Sequence, residues 1–141
     1  MKNSELKIPS SIFELVKMDL ETQIKVVRQG LPSKFVTQVS KVLAMPSTQL
    51  LELVRIPSMP LLSNRKQMKL LCVYEGDVIL RVAKVLIFAE VVFESRDAAV
   101  SWLKRSLRSL GGVQPLSLLD THSGFELVHK TLKCIEYGIP S

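Results

Sequence analysis

Histidine and cysteine are scarce in this chain, with two of each in 141 residues. His122 and His129 are seven apart and Cys134 follows five residues later. No HExxH and no paired CxxC spacing is present, which excludes the familiar zinc patterns. Cys72 and Cys134 read as reduced, packed thiols. Long uninterrupted apolar runs are also missing. The most apolar stretch, Val78 to Phe93, is broken by Arg81, Lys84 and Glu90. It falls short of the roughly 20 residues that a bilayer span needs. The opening MKNSELKIPSS has neither an apolar signal core nor a cleavage site. The expectation is a cytoplasmic protein with no membrane partner. No helix pairs a Lys/Arg-rich face with a Trp/Phe face, as membrane-surface binding would require. Regular β alternation is nearly absent, and apolar residues recur mostly at helical spacing.

Catalytic patterns are as sparse. Gly111-Gly112 follows a helix and lacks the GK[ST] that completes a phosphate loop. Asp120, His122 and Ser123 have the residue types of a hydrolase triad, but such groups converge from distant segments, and no GxSxG elbow exists. Glu90, Glu94, Asp97 and Glu126 read as solvated helix charges. The residues therefore point to a binding protein with no enzyme activity, no cofactor, no metal and no small-molecule substrate.

What the chain does have is apolar surplus and segregated charge. Hydrophobic residues make up 47% and aromatics only 6%. That is more apolar than a monomer of this size needs, and a buried subunit or partner surface accounts for the excess. The net charge of +6 is concentrated: residues 31–70 carry six basic side chains against Glu52 alone, whereas residues 71–141 carry eight of each sign. A confined positive segment is the footprint of phosphate contact.

Three Pro-Ser dipeptides, at 32–33, 46–47 and 57–58, read as helix stops followed by N-caps. Residues 6–17 are ambiguous between strand and helical turn. Asp19 and Gly30 then bracket a helix with Leu20, Ile24 and Val27 on one face. Further helices are predicted over 33–44, 48–54 and 59–68. The last two, with a turn at Arg55–Pro57, make a helix-turn-helix pattern. Its recognition helix would carry Ser58, Ser63, Asn64, Arg65, Lys66 and Lys69 toward operator DNA. Residues 74–93 read as a long helix buried on most sides, a central pillar and a possible part of a homodimer interface. Ser95 should cap a helix through Arg105 with Ala98, Ala99, Trp102 and Leu103 inward. A loop over 107–112, a short helix from Pro115 and a last helix over 124–137 complete the chain. In that last helix Phe125, Val128, Leu132 and Ile135 share a face. Asp120 and Thr121 are expected to close one helix and Ser123 to open the next.

The C-terminal string closely resembles the toxin-binding domain of the Xre/MbcA/ParS antitoxins. The matching residues are Ala89, Phe93, Trp102-Leu103, Leu110-Gly111-Gly112, Pro115-Leu116, Leu118-Leu119, Thr121, Gly124, Val128, Leu132, Ile135 and Gly138. The match covers about residues 78–141, and Arg81 looks like the arginine the family places before its long helix. More loosely, Gly30-Leu31-Pro32 is similar to the opening of the Xre-type helix-turn-helix. Pro60-Leu61 and Ser63-Asn64-Arg65 stand where that family often has Thr-Leu followed by Arg-Arg. The resemblance implies an all-α protein: an N-terminal helix-turn-helix bundle, 1–73, for DNA binding and dimerisation. A long helix would join it to a small toxin-binding domain, 74–141. It implies a type II antitoxin that neutralises a cognate RES-type, NAD-consuming toxin and represses its own operon as a homodimer. Toxin contacts are then expected at Lys104, Arg105, Arg108, Gly111, Gly112, Lys133, Tyr137, Gly138, Ile139, Pro140 and Ser141. Trp102, Pro115, Leu119, Gly124 and Leu132 are assigned to structure. The alternatives are a protein–protein adaptor with a vestigial helix-turn-helix, or a stand-alone transcriptional regulator.

Overall fold

The computed structural model describes residues 7–57 and 70–139. Among these, the chain is all-α: seven α-helices, two 3-10 turns, and isolated bridges at Pro32–Leu70 and Leu107–Val113. The third Pro-Ser pair's serine, the helix expected over 59–68 and the DNA residues Ser58, Ser63, Asn64, Arg65, Lys66 and Lys69 lie outside the described residues. So do Pro140 and Ser141.

The ambiguous 6–17 stretch holds a short helix, α1 (Ile12–Val16), opened by Ser11, whose hydroxyl accepts a bond from the Phe13 amide. Two glutamines fasten it. Gln38 accepts from the Ile12 amide and donates to the Ser10 carbonyl, both at 2.8 Å. Gln23 donates at 3.0–3.2 Å toward the Leu15, Val16 and Met18 carbonyls at and just past the end of that helix, where carbonyls run short of helical amides. Helix α2 (Leu20–Gln29) follows Asp19 as expected and ends at Gly30, φ 107°. The Asp19 carboxylate does not reach a helix amide. It accepts a bond from the Thr22 hydroxyl at 2.5 Å, which holds its carboxyl below the usual carboxylate range.

Helices α3 (Lys34–Val42) and α4 (Ser47–Leu53) start near the Pro-Ser pairs, but the serines do not cap them. Ser33 is itself helical, and Ser47 is the first residue inside α4, with Pro46 at the cap. The Ser47 hydroxyl meets Ser40 at 2.9 Å instead. Both helices end on left-handed residues that are not glycine, Ala44 at φ 55° and Arg55 at φ 58°. The amides of Met45 and Ile56 then reach back to Ser40 and Leu51, as in a Schellman ending.

Helix α5 (Val73–Phe93) is the pillar. Its 21 residues span about 30 Å at the usual rise. The Cys72 amide donates to Glu75 at 2.9 Å, half of a capping box. Val78, Ile79, Val82, Ala83, Val85, Leu86 and Ala89 are buried on several of its sides. They join one apolar cluster that runs from Ile12 through Phe35 and Leu50 to Leu116, Leu119 and Leu132. Arg81 stands inside α5, not before it.

Helix α6 (Arg96–Lys104) is capped by Ser95 as expected, the hydroxyl accepting from Ala98. Ala99, Trp102 and Leu103 are buried, but Ala98 is exposed. The helix turns about 100° per residue, so the inward triple at 99, 102 and 103 leaves 98 on the outside. The Leu107–Val113 loop closes through Gly112 donating to Leu107 at 2.8 Å, with φ 79° and 82° at Gly111 and Gly112. Pro115 opens a 3-10 turn, Pro115–Leu118, in place of the expected α-helix. Helix α7 (His122–Glu136) begins two residues earlier than expected, because Thr121, not Ser123, is its cap. The Thr121 hydroxyl accepts from the Gly124 amide at 3.0 Å.

Candidate functional site

Four of the five structural residues fill the core: Trp102, Pro115, Leu119 and Leu132 are all buried. Gly124 has a different reason to be there. A Cβ on it would lie 1.7 Å from the Leu118 carbonyl oxygen. Only glycine lets α7 start this close to the preceding 3-10 turn. The stretch 109–124 is thus a scaffold that aims α7.

Three cations tie distant segments of this part of the fold together by donating to backbone carbonyls. Arg55 donates to Ser117 O at 2.8 Å and lies 3.6 Å from Asp120. Arg81 donates to Leu119 O at 2.8 Å while its other nitrogen holds Asp77. Lys104 donates to Leu43 O at 2.8 Å, at the C-terminal end of α3, where a positive charge also suits the helix dipole. A hydrogen bond to a charged donor contributes about 1.5–3 kcal/mol where it is shielded, and less at exposed Arg55. The sequence marks Arg55 as a turn residue and Asp120 as a helix end, and neither as a tie between distant segments. Arg55 meets Asp120 and the Ser117 carbonyl from tens of residues away, and no local pattern marks such a contact.

The outward side of α7 is a shallow groove that continues into the tail. Lys133, Tyr137 and Ile139 line it, together with His122, Phe125, Glu126, His129 and Lys130. Tyr137 is 67% exposed. His129 stacks between Phe88 of α5 (4.7 Å between ring centres) and Phe125 (5.9 Å). His122 pairs with Glu126 at 3.4 Å. Phe125, expected on one face with Val128, Leu132 and Ile135, is half-buried against the core and also joins this aromatic row. The signal was present: His122, Phe125 and His129 are spaced 3 and 4 apart, a single helical stripe. Gly138, φ 72°, ends α7, and the Ile139 amide donates back to Cys134 at 2.8 Å.

The remaining expected contact residues are not in that groove. Lys104 and Arg105 line a second one with Val42, Ala44, Arg96 and Val100, and the Lys104 ammonium is turned inward to α3. Arg108 is exposed at the start of the first 3-10 turn, Arg108–Leu110, and Gly111 and Gly112 are exposed on the loop that follows it. The site offers aromatic faces, apolar tips and lysines on a rigid helix, which suits protein recognition. Among the described residues, no three His, Cys, Asp or Glu side chains converge as metal ligands would. No described helix is long and apolar enough to cross a membrane.

Residues 88–138 match the family model of the antitoxin Xre/MbcA/ParS C-terminal toxin-binding domain. This range holds α6, the loop, both 3-10 turns, α7 and the last turn of α5. The chain is 41% identical over 68 residues to Antitoxin Xre of Photorhabdus laumondii subsp. laumondii, which is 48% of this chain and 46% of that protein. It is 41% identical over 46 residues to the Prs ADP-ribosylating antitoxin of a Sphingobium species, 33% of this chain and 29% of that one. The matched stretches span less than half the length of either relative.

Proposed function

We propose that this chain, Xre/MbcA/ParS-like over residues 88–138, is the antitoxin of a type II toxin–antitoxin pair. It acts by binding, with no chemistry of its own. The C-terminal domain, 74–141, holds a cognate toxin inactive by covering the entrance to its active site. The outward face of α7 and the tail 137–141 make the main contact, and the 104–112 loop the secondary one. A RES-type, NAD-consuming toxin is the partner proposed. The N-terminal domain, 1–73, pairs the chain into a homodimer and brings the basic 58–69 segment to the operon's own promoter. The chain works in the cytoplasm.

One observation carries this reading. The stretch that matches the toxin-binding domain is also the stretch that builds the exposed aromatic and lysine groove of α7. Copurification of the full-length chain with the toxin encoded beside it tests the contact. Removing residues 137–141 should abolish copurification, and Tyr137→Ala should weaken it. Retention of the complex by the truncated chain removes the tail from the interface. The DNA part has its own test. Arg65→Ala and Lys66→Ala should weaken promoter binding and flatten its salt dependence; unchanged binding would sink it.

A further inference from the structure

Arg55 stands where a helix ending favours glycine. It follows α4 at φ 58°, a left-handed conformation that glycine takes freely and that any residue with a Cβ resists. The Ile56 amide reaches back to the Leu51 carbonyl at 2.9 Å and closes the ending through the main chain alone. The turn itself has no use for an arginine. A residue kept in a disfavoured backbone region directs attention to what its side chain reaches.

The side chain reaches the far end of the sequence. Its Nη1 donates to the Ser117 carbonyl at 2.8 Å, 62 residues away. The same nitrogen lies 3.6 Å from the carboxylate of Asp120, whose side chain is mostly covered. Both partners flank the end of the Pro115–Leu118 3-10 turn. Such a turn leaves its last carbonyls short of helical amides. Among the described residues, no main-chain amide donates to the carbonyls of Ser117, Leu118 or Leu119 outside the turn. Arg55 takes the first of these, and Arg81 takes the third at 2.8 Å. The middle one lies against Gly124, where a Cβ has no room.

The Leu118 carbonyl is therefore the surface on which α7 starts, and the peptides on both sides of it are held by arginines. Arg81 is itself held by Asp77. Arg55 comes from outside the matched stretch altogether. With its guanidinium gone, the Ser117 carbonyl and Asp120 lose their common partner, and the support under the first turn of α7 is held from one side only. From Gly124 to Tyr137 the helix runs about 20 Å at the usual rise. A tilt of about 3° at its start then shifts Tyr137 by about 1 Å, enough to spoil a fitted protein contact. Arg55 is largely exposed, so solvent screens its pairing and limits what it adds to overall stability.

We infer that Arg55 is a positioning residue of the toxin-binding face. From the turn after α4 it fixes the Ser117–Asp120 end of the 3-10 turn, and through it the angle of α7. This rests on the reading of the α7 groove as the toxin contact. It also spends one of the six cations of the 31–70 segment inside the chain, away from DNA.

Titration of full-length variants against the purified RES-type toxin proposed as the partner tests this. Arg55→Gly is the decisive variant, because the two possible roles of the residue predict opposite results. If Arg55 only ends α4, glycine suits φ 58° better, and the variant should bind the toxin as tightly as the wild type. If the side chain positions α7, binding should weaken by about three- to tenfold with an unchanged helical spectrum. Arg55→Lys keeps a charged donor for Ser117 and should recover most of that loss. Without toxin, amide exchange in Arg55→Gly should quicken at Leu119 and Gly124, whose amides bond to the Leu116 carbonyl and the Thr121 hydroxyl, and stay unchanged in α2. A wild-type chain that does not bind the toxin would overturn the antitoxin reading itself. A wild type that binds, beside an Arg55→Gly variant that binds equally, would overturn the positioning role alone. If that variant keeps the toxin and loses promoter DNA, Arg55 is a DNA contact and the positioning role is again overturned.

Discussion

Replacing Gly124 by alanine is the sharpest probe of how this chain builds its C-terminal domain. At an ordinary exposed helix position the change would stabilise by about 1 kcal/mol, since alanine is the better helix former. Gly124 has ordinary helical backbone, so that gain applies. Against it stands the Leu118 carbonyl. The new Cβ would sit 1.7 Å from its oxygen and 2.7 Å from its carbon. Neither atom belongs to a side chain that can rotate away. Relief requires the start of α7 to move by more than an ångström from the 3-10 turn. That movement strains the Thr121 cap, worth about 1 kcal/mol, and the packing of Leu119 and Leu132, with overpacking costs of about 1–3 kcal/mol. The net expectation is a loss of about 2 kcal/mol, read in thermal unfolding as a midpoint lower by roughly 5–10 °C for a chain of this size. The sign decides the matter. A Gly124→Ala chain that melts at or above the wild-type temperature would show that α7 does not start against the Leu118 carbonyl.

Leu132 is fully buried where α7 meets the pillar. Leu132→Ala should cost about 2–5 kcal/mol in chemical denaturation, and a loss under 1 kcal/mol would mean that α7 is not docked there. Ala44 holds a left-handed conformation at φ 55°. Ala44→Gly should therefore stabilise the chain by about 0.5–1 kcal/mol, the strain relieved exceeding the added freedom of the unfolded chain; a lower melting temperature would contradict this. The Asp19 carboxyl is held below its ordinary value chiefly by the Thr22 hydroxyl. Its favourable contribution is present above the unfolded-state pKa and is lost as pH falls through the folded one. An NMR titration should show the Asp19 pKa rising toward the ordinary value in Thr22→Ala, and no change would remove that hydrogen bond from the account.

Much of the fold was legible from local signals. Helical spacing marked the pillar α5, Ser95 marked the start of α6, and Gly30 and Gly138 marked two helix ends. These features depend on residues within a turn or two of each other. The errors lie where distant partners decide. Ser47 reads as a cap, but Ser40 seven residues back takes its hydroxyl. Ser123 reads as a cap, but Thr121 is placed to reach the Gly124 amide. For the site, Lys133, Tyr137 and Ile139 fall in one groove with His122, Phe125 and His129. Lys104, by contrast, spends its charge on the end of α3. A lysine that caps a helix sixty residues away looks in sequence like any exposed lysine.

The central claim is that the chain silences another protein by covering its active site. The most direct measurement is the activity of the proposed cognate toxin, purified and followed as the full-length chain is added. The account predicts that activity falls to zero at a fixed ratio of the two proteins, with the mass of each chain unchanged. A toxin that stays fully active in excess of this chain would contradict it.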